Sequence, residues 1–70
     1  MILVTRINGT DEFYVNEDQI EFLEATPDTL ISLESGKKFV VKESIDEVIN
    51  RIARYKAKLY QFRTQGYVTD

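Results

Sequence analysis

Seventy residues, 12 of them acidic and 9 basic, with 43% hydrophobic content and neither cysteine nor histidine, describe one small, mildly acidic domain. Without Cys or His the chain builds no thiol nucleophile, imidazole base, Cys/His zinc site or serine–histidine arrangement. A chain this short buries only about 60% of its unfolded surface and has no disulfide to help, so pairing with further copies of itself is expected.

Ile2 to Ile7 reads as a strand with apolar residues on both faces: Ile2 and Val4 share one with Arg6, and Leu3 and Ile7 share the other with Thr5. Asn8-Gly9 is a hairpin signal, because both positions tolerate positive φ, and Phe13-Tyr14-Val15 is the return strand. Asn16 followed by Gln19 forms a small capping box and predicts one helical turn. The next strand covers Ile20 to Ala25, with Ile20 and Phe22 on one face and Leu23 and Ala25 on the other. Glu21 and Glu24 fall one on each face, so periodicity leaves the buried side open.

Thr26-Pro27-Asp28-Thr29 is a turn: Pro27 pre-sets φ and Asp28 bonds its own backbone. Leu30 to Leu33 follows as a short strand, with Thr29, Ile31 and Leu33 on one face. Ser35-Gly36-Lys37 then supplies a residue suited to positive φ, and Phe39-Val40-Val41 returns, with Lys38 and Lys42 toward water. Ser44-Ile45-Asp46-Glu47 is a capping box that opens a helix. The fold class expected is therefore α+β: an antiparallel meander of about five short strands followed by one C-terminal amphipathic helix.

In that helix Ile45, Val48, Ile52, Tyr55, Leu59 and Phe62 recur at spacings of three and four, a heptad seam that Ile49 widens near its start. Glu47 and Arg51 form an i,i+4 pair. Strands of about five residues make a sheet too short to cover every turn of a helix reaching Phe62. The first half is expected to pack on the sheet. Tyr55, Leu59, Tyr60 and Phe62 either finish the core of the chain or project to meet a partner. Gly66 is a candidate terminator, so residues 1–63 form the domain and 64–70 a tail without a clear assignment.

Charge divides sharply along the chain. Residues 1–50 carry a net −7 and residues 51–70 a net +4. This is either an ordinary solvated helix face or a surface for oppositely charged protein, including another copy. Arg51, Arg54, Tyr55, Lys58, Leu59, Tyr60 and Phe62 are accordingly the candidate interaction residues. Nucleic-acid binding is disfavoured, because the bases spread around the helix and the acidic body repels a phosphate backbone. Asp11-Glu12 and Glu17-Asp18 lack the alternating ligands and internal glycine of a calcium loop, and read as solvated turns. Gly36-Lys37-Lys38 lacks the earlier glycine and the Ser/Thr of a phosphate loop. No catalytic residue, metal or cofactor is expected, so the chain reads as a non-enzyme. No signal-peptide pattern and no apolar run of about 20 residues is present, which leads us to expect a cytoplasmic protein.

The ordered set Met1-Ile2, Val4-Thr5-Arg6, Asn8-Gly9, Asn16, Ile20-Glu21, Glu24, Pro27-Asp28-Thr29, Ile31, Leu33, Gly36-Lys37-Lys38, Val41-Lys42-Glu43-Ser44 and Glu47-Val48 resembles the flagellar FlbD/SwrD family over approximately residues 1–59. Thr10-Asp11-Glu12 makes the first hairpin one residue longer than is usual there, which leaves its register open. The resemblance implies a small cytoplasmic accessory protein of bacterial swarming motility at the flagellar base, without enzymatic activity, working through protein–protein contact with the flagellar motor and its stator. The expected mechanism is an oligomer that presents the basic, aromatic end of its helix to an acidic surface of the motor. A weaker likeness, through Leu3-Val4-Thr5-Arg6 and the strand–helix order, is to carbon storage regulators, RNA-binding dimers that regulate gene expression. Arg6 is similar there, whereas Val40-Val41-Lys42-Glu43 lacks the basic recognition sequence, so this second likeness implies strand exchange in a dimer more than RNA binding.

Overall fold

A computed structural model describes residues 1–25 and 27–65, with side chains up to Tyr60. Two sheets share one core. Strands β1 (Ile2–Thr5) and β2 (Glu12–Val15) form an antiparallel hairpin, while β3 (Ile20–Ala25), β4 (Thr29–Leu33) and β5 (Lys38–Val41) form an antiparallel meander. Helix α1 (Ile45–Gln65) follows. This is the expected α+β order. Gly66, the tail and the Phe62 side chain lie outside the described residues, as does Thr26 at the start of the predicted turn.

The two sheets are joined edge to edge where the first strand outlasts its hairpin. Arg6 bridges Val41, the Ile7 amide donates to the Val40 carbonyl at 3.1 Å, and the Lys42 amide donates to the Thr5 carbonyl at 2.8 Å. The pairing with β2 therefore ends at Thr5↔Glu12. The loop is held by the Arg6 amide on the Asp11 carbonyl at 2.9 Å, and neither Asn8 nor Gly9 has the positive φ that a tight two-residue hairpin turn requires. The strand expected to run from Ile2 to Ile7 thus changes partner at Thr5, because its last residues close the gap between the sheets. Among the described residues only Gly36, at φ 95°, takes the left-handed conformation, and it does so in the β4–β5 hairpin where the sequence calls for it.

A register irregularity between Ile20 and Phe22 decides the face of β3. Ile20 and Leu23 both pack against the core, while Phe22 is exposed. Simple alternation groups Ile20 with Phe22; the extra residue, Glu21, separates them. The core itself is compact: Ile2, Val4, Val15, Ile31, Val41 and Val48 are buried, with Leu23, Phe13, Phe39, Ile52 and Tyr55 packed around them. Val48 is therefore the side chain that seats α1. Ile49 was expected to widen that contact but is half exposed, since it lies about 100° around the helix from Val48.

Candidate functional site

The helix begins where the sequence signals it. The Glu47 amide donates to Ser44 Oγ at 3.1 Å, and Asp46 and Glu47 occupy the first turn, where the macrodipole favours acids. Glu47 does not return the bond of a full capping box; its carboxylate accepts instead from Arg51 Nε at 2.7 Å and from Arg54 at 3.2 Å. The helix carries a buried valine on one side and a chain of charges on its flank.

Arg51 and Glu43 clasp that flank to β1. The Glu43 carboxylate accepts from the Thr5 amide at 2.9 Å and from the Thr5 hydroxyl at 2.8 Å. Thr5 already receives the Lys42 amide on its carbonyl, so Glu43 supplies the acceptor that the Lys42 carbonyl would offer in a continued ladder. Arg51 completes the clasp, donating to the Leu3 carbonyl at 2.6 Å and to Glu43 at 3.3 Å. Burial raises the Glu43 carboxyl pKa, but the two Thr5 bonds and the Arg51 charge more than offset it, leaving the group below its ordinary value of 4.5. The hydrogen bond that Arg51 donates to the Glu47 carboxylate, stronger than the opposing effect of burial, likewise holds the Arg51 guanidinium more firmly protonated.

A second tie fastens the opposite flank. A single 3₁₀ turn, Glu17–Gln19, is capped by Asn16, whose side chain accepts from the Asp18 amide at 3.0 Å. Lys56 reaches this turn, bonding Asp18 and lying 3.8 Å from the nearly buried Glu17 carboxylate, which also holds the Met1 ammonium at 2.6 Å. The acidic pair Glu17-Asp18 is therefore engaged with cations of its own chain. Among the described residues no cluster of His, Cys, Asp or Glu has the arrangement of a metal site.

Between the clasp and the hairpin runs an open groove of about 550 Å³, bordered by Leu3, Thr5, Glu12, Arg54, Tyr55 and Lys58. Four of the sequence candidates, Arg51, Arg54, Tyr55 and Lys58, line this one groove. Arg51 is held within the clasp, whereas Arg54 is exposed and pairs only with Glu47 among described residues. Lys58 makes no ion pair with any described residue. Leu59 and Tyr60 stand farther along the helix, 40% and 69% exposed. Of the two flank ties among the described residues, the farther along the helix is made by Lys56, and the helix runs about 13 Å beyond it, to Gln65.

Glu43, Leu3 and Glu12 belong to this site but were not among its sequence candidates. Glu43 and Thr5 are 38 residues apart, and no local spacing links them. An acid beside the Ser44 cap could be read only as a favourable helix-dipole charge.

Along the other end of the sheet, Arg6 lies over the Phe13 ring at 4.6 Å and the Phe39 ring at 5.6 Å, the two rings being 5.1 Å apart. This stack closes the core beneath an exposed guanidinium. No helix among the described residues is long and apolar enough to cross a membrane.

A comparison with family models matches residues 1–60 to a family described as flagellar and swarming motility proteins. Comparisons with curated proteins and with solved structures return no match.

Proposed function

We propose that this chain, which belongs to the FlbD family of flagellar and swarming motility proteins, supports motility as a docking module on the motor and stator rather than as an enzyme. The observation that carries the reading is the cationic flank of the helix, where exposed Arg54 and Lys58 border the groove beside the clasp. One turn farther along that flank Leu59 is 40% exposed, which adds an apolar side chain to the cationic surface. A rigid, strapped helix base with a cationic and apolar end matches an acidic protein surface, where complementary charge sets orientation and encounter rate. Arg51 serves this surface from within, by holding Glu47 and the helix direction. The cytoplasmic base of the flagellum is the place where such a surface would be used.

The test is made in cells lacking the chain and complemented with Arg54→Glu/Lys58→Glu. Normal flagellar number with slowed rotation of tethered cells under load supports the motor reading. Full swarming and full rotation speed with this variant refute it. Missing flagella with altered flagellar messages would move the role to gene expression instead.

A further inference from the structure

Glu17 is an acid that the fold has put out of reach of water. Its side chain is 3% exposed, and apart from the Met1 ammonium at 2.6 Å its Oε1 has no hydrogen-bond partner among the described residues. Lys56 lies 3.8 Å from the other oxygen, Oε2, but is half exposed and already bonded to Asp18. The hairpin brings the Met1 nitrogen to this place. Ile2 pairs with Val15, both buried, so the register sets Met1 beside Asn16, the cap of the turn that carries Glu17.

We infer that the Met1 nitrogen is a modification-sensitive site: its free ammonium is the counter-charge that Glu17 requires, and an acyl group on it weakens the fold. Acylation turns the ammonium into a neutral amide, which keeps one N–H donor and no charge. The Glu17 carboxylate is then left nearly buried with only Lys56 to one side, and a buried charge that loses its partner is costly. An exposed pair would carry no such penalty, because water replaces the lost partner. The formyl group is the case that matters in a cell. When Met1 is the initiating residue of bacterial synthesis, its nitrogen starts out as a formamide. Water adds to the formyl carbon, the C–N bond breaks, formate leaves, and the amine takes up the released proton as ammonium. Hydrolytic deformylation is thus the class of reaction that supplies this contact. A residue or tag placed before Met1 acts as an acyl group does.

Total chemical synthesis provides the 70-residue chain with a free, a formylated or an acetylated Met1, and each form again with Glu17→Gln. Urea unfolding followed by circular dichroism, at neutral pH and one protein concentration, reads the unfolded-to-folded ratio. Either acyl group should raise that ratio about 10–100-fold in the parent chain. In the Glu17→Gln chain, where no buried charge awaits a partner, it should change by less than about threefold. A change of less than about threefold in the parent overturns the proposal. Equal losses in the two backgrounds overturn it too, because the effect then belongs to the strand end and not to the pair. Should the acylated parent fail to fold, an acylated Glu17→Gln chain that still folds supports the proposal, and one that fails as well refutes it.

Discussion

Removing Glu43 should cost more stability than the loss of an ordinary surface carboxylate, because its side chain is only 10% exposed. Its carboxylate is the shared acceptor of three donors: the Thr5 amide, the Thr5 hydroxyl and the Arg51 guanidinium. A hydrogen bond to a charged group contributes roughly 1.5–3 kcal/mol, and a partly buried donor left unpaired costs roughly 1–3 kcal/mol. These are not additive, because the three donors share one group and Arg51 keeps Glu47 and Leu3. Glu43→Ala is therefore expected to lose about 2–4 kcal/mol. Glu43→Gln keeps an acceptor for the Thr5 amide but not the charge, and should lose about 1–2 kcal/mol. At about 0.05–0.15 kcal/mol per residue, the whole domain holds only roughly 4–10 kcal/mol, so the alanine variant approaches the limit of folding. Urea unfolding followed by circular dichroism at fixed protein concentration measures both. An alanine variant within 0.5 kcal/mol of the parent, at unchanged m-value, would refute the clasp as the tie between helix and sheet.

The same carboxylate predicts a pH effect: its folded pKa lies below 4.5, so its contribution is complete above that value and is lost as pH falls through the folded pKa. Urea midpoints between pH 7 and pH 3 should thus fall less steeply for Glu43→Gln than for the parent, and parallel curves would contradict this. Val48→Ala should lose about 2–3 kcal/mol, since the side chain is wholly buried and its removal leaves a cavity under the helix; a loss below 1 kcal/mol would mean that α1 is not seated there. Gly36→Ala should cost about 1 kcal/mol through its φ of 95° alone, because an added Cβ meets no atom within 4 Å; thermal unfolding reads the shift, and no change would argue against the left-handed turn.

Local chemistry made most of this fold legible. Gly36, the Ser44 cap, the Asn16 turn and the Glu47–Arg51 pair are each decided within four residues, and each stands where the sequence places it. The misreadings arise where a neighbour distant in sequence intervenes. Arg6 and Ile7 satisfy hairpin periodicity, yet β5 captures them. Ile20 and Phe22 satisfy alternation, yet an irregular register parts them. Ile49 fits an apolar helix face, but it lies about 100° around the helix from the buried Val48 and stays half exposed. At the candidate site, helical spacing brings Arg51, Arg54 and Lys58 to one flank, whereas Thr5, Leu3 and Glu12 join them only through the tertiary path of β1 and β2.

This division also separates the two roles of the helix flank. Arg51 is committed to Glu43, Glu47 and Leu3, so its loss should disturb the fold before it disturbs any surface. Arg54 and Lys58 hold no strand in place, and their reversal should leave the urea midpoint nearly where it was, since exposed pairs contribute about 0–1 kcal/mol. A motility defect that follows Arg54 and Lys58 without a stability loss therefore reports docking. A defect that appears only with Arg51 or Glu43 variants, in proportion to their lost stability, reports nothing beyond the amount of folded protein.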